Sequence, residues 1–169
     1  LDGKNCEIEV ISSVDEYQIN DDDLFVCSIG NSEIRKRIVE RLVVKGAKFV
    51  NIIHPTAVIA DNCEIGKAVI VYPFALLSDN SKIGDGCIVN MYSSIAHDSV
   101  LGEYCTISAH CDITGTCTLG NNVLMGTSSL IVPRTRIGNN VYVCAGSMIM
   151  THIKDGTKVM GNPARSIRF

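Results

Sequence analysis

The sequence predicts a mainly-β chain: a triangular parallel solenoid behind a small α/β unit. Three periodicities carry that prediction. Every sixth residue from Ile53 to Ile149 is large and aliphatic (Met125 among them), with no slip of frame. The slot two residues earlier, from Ala57 through Cys63, Cys87 and Cys117 to Ser147, is small or short-branched throughout. Glycine follows the large residue at every third unit, at Gly66, Gly84, Gly102, Gly120 and Gly138, 18 residues apart. A strand alternates its faces, so a small and a large residue two apart both point inward and the residue between them points out. Each six-residue unit is then a short strand plus a corner, and three units close one coil. Glycine at one corner per coil marks a positive φ or a close backbone approach.

Residues 1–52 do not follow this repeat. Glu7 to Ser12 alternates like a strand, and Leu24 to Ile29 is an apolar run typical of a buried strand. After Gly30, Asn31 or Ser32 is placed to cap a helix with Glu33 in its first turn. Ile34, Ile38, Leu42 and Val43 line one face of that helix, Gly46 ends it, and Lys48 to Ile53 reads as the next strand. Strand, glycine turn, helix and strand make a βαβ unit. Such a turn presents backbone N–H groups to a phosphate or a sugar hydroxyl, which makes Gly30 and Asn31 candidate substrate contacts. An ordinary turn has the same sequence, and no G-x-G-x-x-G is present. The organisation expected is an α/β domain over 1–52, the solenoid over 53–154, and an irregular C-terminal tail over 155–169.

Composition excludes several classes. The 169 residues hold no membrane-length apolar stretch and no signal-like segment. The eight cysteines resemble a secreted scaffold only by number, since Cys63, Cys87, Cys105, Cys111 and Cys117 all fall in the small inward slot. There a thiol is a compact apolar filler, so reduced thiols and a cytoplasmic location are expected. No CxxC pair suggests zinc. The net charge of −3 argues against nucleic acid, but residues 134–169 carry six basic side chains against Asp155 alone. A basic end on an acidic chain suits a small phosphorylated ligand, and equally a solvated tail.

The outward residues differ by face. One face shows Ile52, Ile70, Ile88, Thr106, Leu124 and Tyr142, and a second shows Val58, Leu76, Ser94, Asp112, Leu130 and Met148. Two largely apolar faces predict self-association, best met by a closed three-fold ring, although a docked N-terminal domain would cover part of that surface. Four histidines are the titratable candidates: His54, His97, His110 and His152. His97 stands at a corner beside Asp98. On a lone subunit it is a solvated corner residue; at a subunit interface, oriented by a carboxylate, it becomes a general base.

The repeats Ile83-Gly84-Asp85-Gly86-Cys87 and Ile137-Gly138-Asn139-Asn140-Val141, closed by Gly161-Asn162-Pro163-Ala164-Arg165, resemble the hexapeptide acyltransferases. More narrowly, Ile29-Gly30-Asn31-Ser32-Glu33-Ile34-Arg35, the Ile53-His54-Pro55 junction and Ile95-Ala96-His97-Asp98 are similar to one group. It comprises the sialic acid O-acetyltransferases and the UDP-4-amino-sugar (bacillosamine) N-acetyltransferases. The resemblance implies a left-handed parallel β-helix, a homotrimer, and acetyl transfer from acetyl-CoA to an amino or hydroxyl group of a nucleotide-linked or acidic sugar, without a metal. It implies His97 as general base and Asp98 as the acid that raises its basicity. It places Thr106, Gly115, Thr127 and Ala145 along the cofactor cleft, and Asp2 and Gly30 at the nucleotide. Thr106 stands where a relative has a histidine. The family's first strand and glycine-rich loop have no counterpart here, so a truncated Rossmann-like domain is expected. Two rivals share the solenoid: a trimeric zinc hydratase like the γ-class carbonic anhydrases, which needs three interfacial histidines, and a non-catalytic surface-binding solenoid, which needs regular Thr rows.

Overall fold

From Ile52–Ile53 to Met148–Ile149 the chain lays down a two-residue strand every six residues, and each pairs in parallel with the strand 18 residues away. The computed structural model describes residues 10–168. Numbering in chain order, β1 is Leu24–Phe25, α1 Ser32–Val44 and β2 Lys48–Phe49; the strands of the coils are β3–β19, followed by β20 (Lys158–Gly161) and β21 (Ala164–Ser166). The coils form three sheets, here called face I (β3 to β18, extended by β20 and β21), face II (β4 to β19) and face III (β5 to β17). This is the β-helix that the six-residue period predicts.

Inside the prism the large residues stack coil on coil, with Leu77, Ile95, Ile107, Ile113, Met125 and Ile131 wholly buried. The small slots from Val69 onward are buried as well. Cysteines 87, 105 and 111 donate their thiols to carbonyls of Gly102, Gly120 and Gly126 at 3.1 Å, and every cysteine among the described residues is free.

The spaced glycines are explained by close approach. A Cβ on Gly84 would lie 2.6 Å from the carbonyl carbon of Gly102, and one on Gly102 would lie 2.7 Å from that of Gly120. The positive φ falls elsewhere, once per corner, at Phe74, Asn80, Tyr92, Asp98, His110 and their equivalents. Asn, Asp and His tolerate that left-handed conformation best. Side-chain oxygens of Asp85, Asn121 and Asn139 accept the backbone N–H of Lys67, Glu103 and Asn121 one coil below, each at 2.8 Å, and so stitch the edge between faces III and I.

The N-terminal segment differs from expectation in its packing. β1 and β2 pair in parallel around α1, which is the βαβ connection, but Leu24 is 66% exposed and the apolar run yields only two strand residues. Val10 to Ser12 form no strand, and Glu7 to Glu9, like Asp2, lie outside the described residues. The Lys48 to Ile53 stretch divides into β2, which serves the α/β unit, and β3, which opens the coils. α1 is capped by Asn31, whose Oδ1 accepts from Ile34 N at 3.0 Å. Its buried side is Arg35, Val39 and Leu42, while Ile34 and Val43 face out.

Arg35 explains the rotation. Its wholly buried guanidinium donates to the carbonyls of Gly86 (2.8 Å), Ile29 (2.7 Å) and Tyr104 (2.9 Å) and to Thr106 Oγ1 (3.0 Å). Burial pulls its pKa below the ordinary value, yet a fork of donors among fixed carbonyls suits arginine better than any apolar residue. α1 is thereby fastened over Thr106 of face I, where Ile70 and Ile88 are buried as well, whereas Val58 and Leu76 of face II remain 62% and 42% exposed. The expected C-terminal tail is instead annexed to face I: β20 pairs with β18 and β21 folds back on β20.

Candidate active site

His97 and Asp98 occupy the edge between faces II and III, just after the face II strand Ser94–Ile95. Side chains of adjacent residues usually diverge. Here Asp98 takes the left-handed conformation (φ 59°), and its Oδ2 meets His97 Nδ1 at 2.8 Å. Hydrogen bonds from His97 and then from Asn80 Nδ2 hold the Asp98 carboxyl below its usual range, so it is ionised across neutral pH. An ionised carboxylate at that distance takes the Nδ1 proton as its hydrogen bond. The neutral imidazole then keeps its lone pair on Nε2. The backbone beneath is anchored by Thr116 N donating to His97 O at 2.9 Å and Asp98 N to Asp79 O at 3.0 Å.

Gly115, one coil above, completes this half of the site. A Cβ there would lie 2.6 Å from His97 Nε2 and 2.7 Å from Cε1, so any side chain would collide with the imidazole. The His97 side chain is 62% exposed, and the ring borders open space. A cavity of about 670 Å³ between α1 and the III–I edge is lined by Val39, Phe49, Ala68, Gly86 and Tyr104, away from His97.

The remaining candidates are scattered. Thr127 and Ala145 are exposed and stacked one coil apart on the edge between faces I and II, with Gly146 N donating to Thr127 O at 2.9 Å. They share that edge with a ladder of stacked rings, Phe74 on Tyr92 at 5.0 Å and Tyr92 on His110 at 5.1 Å. Thr106 is brought to neither edge. It is buried under α1, where its hydroxyl accepts from Arg35 and donates to Gly30 O at 3.3 Å, so its Oγ1 is engaged inside the chain. Gly30 and Asn31 sit at the start of α1, with the Gly30 carbonyl given to Arg35 and Thr106 and the Asn31 side chain spent on capping. Asp2 lies outside the described residues.

Within one chain His97 and His110 stand on different edges, and a hydratase site would need a third histidine at the interface. Among the described residues no three His, Cys, Asp or Glu side chains are grouped to hold a metal. Nor does any helix among them have the length and apolarity to cross a membrane. The sequence reading passed over Asn62 and Asn80, which stack beneath Asp98 at the same 18-residue interval as the glycines. That interval was the available signal.

Comparison with known proteins points to one family. Residues 80–115, which contain His97, Asp98 and Gly115, match the family model described as bacterial transferase hexapeptide (six repeats). UDP-N-acetylbacillosamine N-acetyltransferase of Bacillus subtilis (strain 168) is 35% identical over 49 residues, 29% of this chain; the match spans 23% of that relative's length. The acetyltransferase domain of PglB from Neisseria gonorrhoeae FA1090, solved with acetyl coenzyme A, superposes with a TM-score of 0.81 at 32% identity, over 83% of this chain and 68% of that one. A mutant of perosamine N-acetyltransferase from Caulobacter crescentus, solved with CoA and GDP-perosamine, superposes with a TM-score of 0.86 at 25% identity, over 87% and 70% of the two chains. The coils are thus a left-handed β-helix, and the chain belongs to the hexapeptide-repeat acyltransferases, in the group of the sialic acid O-acetyltransferases and UDP-4-amino-sugar N-acetyltransferases.

Proposed function

We propose that this chain transfers the acetyl group of acetyl-CoA to the amino group of a nucleotide-linked sugar, with His97 as general base. The observation that carries the reading is the His97–Asp98 pair at 2.8 Å, with Nε2 free over the bare backbone of Gly115. The acceptor class is supported by the solved relatives, one of which holds GDP-perosamine beside CoA.

In this reading Nε2 of His97 takes a proton from the acceptor amine as its nitrogen attacks the thioester carbonyl. A C–N bond forms, the C–S bond breaks, and the proton passes to the departing thiolate of CoA. Asp98 holds the Nδ1 proton and balances the charge that forms on the ring. Backbone N–H groups near Gly115 suit the developing oxyanion, because a glycine lets a ligand approach the main chain.

The working form is a homotrimer in the cytoplasm. His97 and Gly115 lie on one edge of face II, and Thr127 and Ala145 lie on the other. A ring with face II turned to the axis joins the first edge of each subunit to the second edge of the next, burying Val58 and Leu76 and closing a cleft at each junction. The free thiols fit a reducing compartment. The test is a mass-spectrometric assay of acetyl-CoA with UDP-4-amino sugars, GDP-perosamine and sialic acid, run on wild type and His97→Ala. Acetylation of an amino sugar that falls about 100-fold in the variant supports the proposal. No transfer to any acceptor, or equal rates in both proteins, refutes it.

A further inference from the structure

Beneath the Asp98 carboxylate runs a row of amides. Asn62 Nδ2 donates to Asn80 Oδ1 at 2.8 Å, and Asn80 N donates back to Asn62 Oδ1 at 3.3 Å. Asn80 Nδ2 then donates to Asp98 Oδ1 at 3.2 Å, and Asp98 Oδ2 meets His97 Nδ1. The three residues are 18 apart, one per coil, and Asn80 and Asp98 share the left-handed backbone (φ 56° and 59°). The row has a direction. Because Asn62 gives Asn80 Oδ1 a donor, the Asn80 amide is turned with its NH₂ toward Asp98. Its N–H engages one carboxylate oxygen and leaves the other for the imidazole. Above Asp98 the equivalent slot is Thr116, so the row ends at the carboxylate.

We propose that Asn80, held by Asn62, is a positioning residue for acetyl transfer: it locks the Asp98 carboxylate so that His97 keeps its proton on Nδ1 and its lone pair on Nε2. This rests on His97 being the base. It extends that reading from two side chains to four on three successive coils. Without the amide donor, Asp98 on an exposed edge is free to turn about its side-chain torsions, and the imidazole loses the partner that selects its tautomer. The titratable group that faces Asp98 is His97, on the same corner; Asn80, on the coil below, is uncharged.

Two variants separate positioning from folding. Asn80→Gly removes the amide while relieving the left-handed backbone, so the coil is retained. It should lower kcat about 10-fold, leave the KM for acetyl-CoA within about twofold, and convert the ¹⁵N signature of His97 from one tautomer to a mixture. Asn80→Asp keeps the shape but sets a second carboxylate against Asp98. Like charges at that distance favour taking up one shared proton in mild acid, which restores a donor. Its kcat relative to wild type should therefore rise as the pH falls from about 8 to about 5.5. A kcat for Asn80→Gly within twofold of wild type, or an Asn80→Asp ratio that is flat with pH, overturns the proposal even when His97→Ala is inactive. If His97→Ala keeps its activity, the base assignment itself has failed.

Discussion

Faces I and II of the β-helix start from similar outward stripes and end differently. On face I, Ile70, Ile88 and Thr106 are buried, and α1 is fastened there through Arg35 to the carbonyls of Gly86, Tyr104 and Cys105 and to Thr106 Oγ1. On face II, Val58 and Leu76 stay open, and five of the candidate residues, His97, Asp98, Gly115, Thr127 and Ala145, lie along that face's two edges. The difference separates two uses of exposed apolar surface. One face is satisfied within the chain by a directional polar fastener. The other is left open, with those five residues at its borders.

The largest expected effect is on the fastened face. Arg35→Met leaves several buried carbonyls without donors and should cost roughly 3–5 kcal/mol. The loss should be localised, with amide-exchange protection of α1 falling about 100-fold while the coils keep theirs. Uniform loss across the coils would mean that α1 is integral to the prism and not a cover.

The open face should respond in the opposite way. Leu76→Lys should leave the thermal midpoint of the single chain nearly unchanged, by about 0.5 kcal/mol or less, because the side chain already meets solvent. Light scattering should nevertheless drop from three times 18.3 kDa to 18.3 kDa. Thr118→Lys, on exposed face III, is the control that keeps the larger mass. Between these lies Gly102→Ala, whose new methyl meets the next coil's backbone; about 1–3 kcal/mol of destabilisation should appear in a denaturant melt. Gly30→Ala, with open space around it, should cost far less.

The smallest effect is on pH. Asp98 has a folded pKa below its ordinary value, so the stability it adds is present above the ordinary carboxylate range. That stability is lost as the pH falls through the depressed value. Asp98→Asn should remove this part of the acid dependence, visible as a flatter melting temperature below about pH 4.

Legibility follows the same division. The coils were readable because each repeats one environment: a large residue in, a small one in, a glycine where backbones touch. His97 and Asp98 were readable through their motif, and their contact follows from the left-handed corner that the period of six imposes on Asp98. The orientation of α1 was not readable, since hydropathy assigns Arg35 outward and Ile34 inward. Carbonyl oxygens from Ile29, Gly86 and Tyr104, which only the tertiary fold assembles, reverse that order. The strands of the C-terminal segment escaped for a similar reason: β20 is specified by the open edge of β18 more than by its own pattern.

The central claim, that each active cleft takes one edge from each of two subunits, has a direct measurement. His97→Ala disables the edge between faces II and III, and Ala145→Trp obstructs the edge between faces I and II, so each protein alone should be inactive. Co-expressed in equal amounts and mixed at random, about a quarter of the clefts should pair two intact edges, and about a quarter of wild-type acetyl transfer should return. A co-expressed mixture that stays as inactive as its parents, with all three preparations trimeric, would contradict the account.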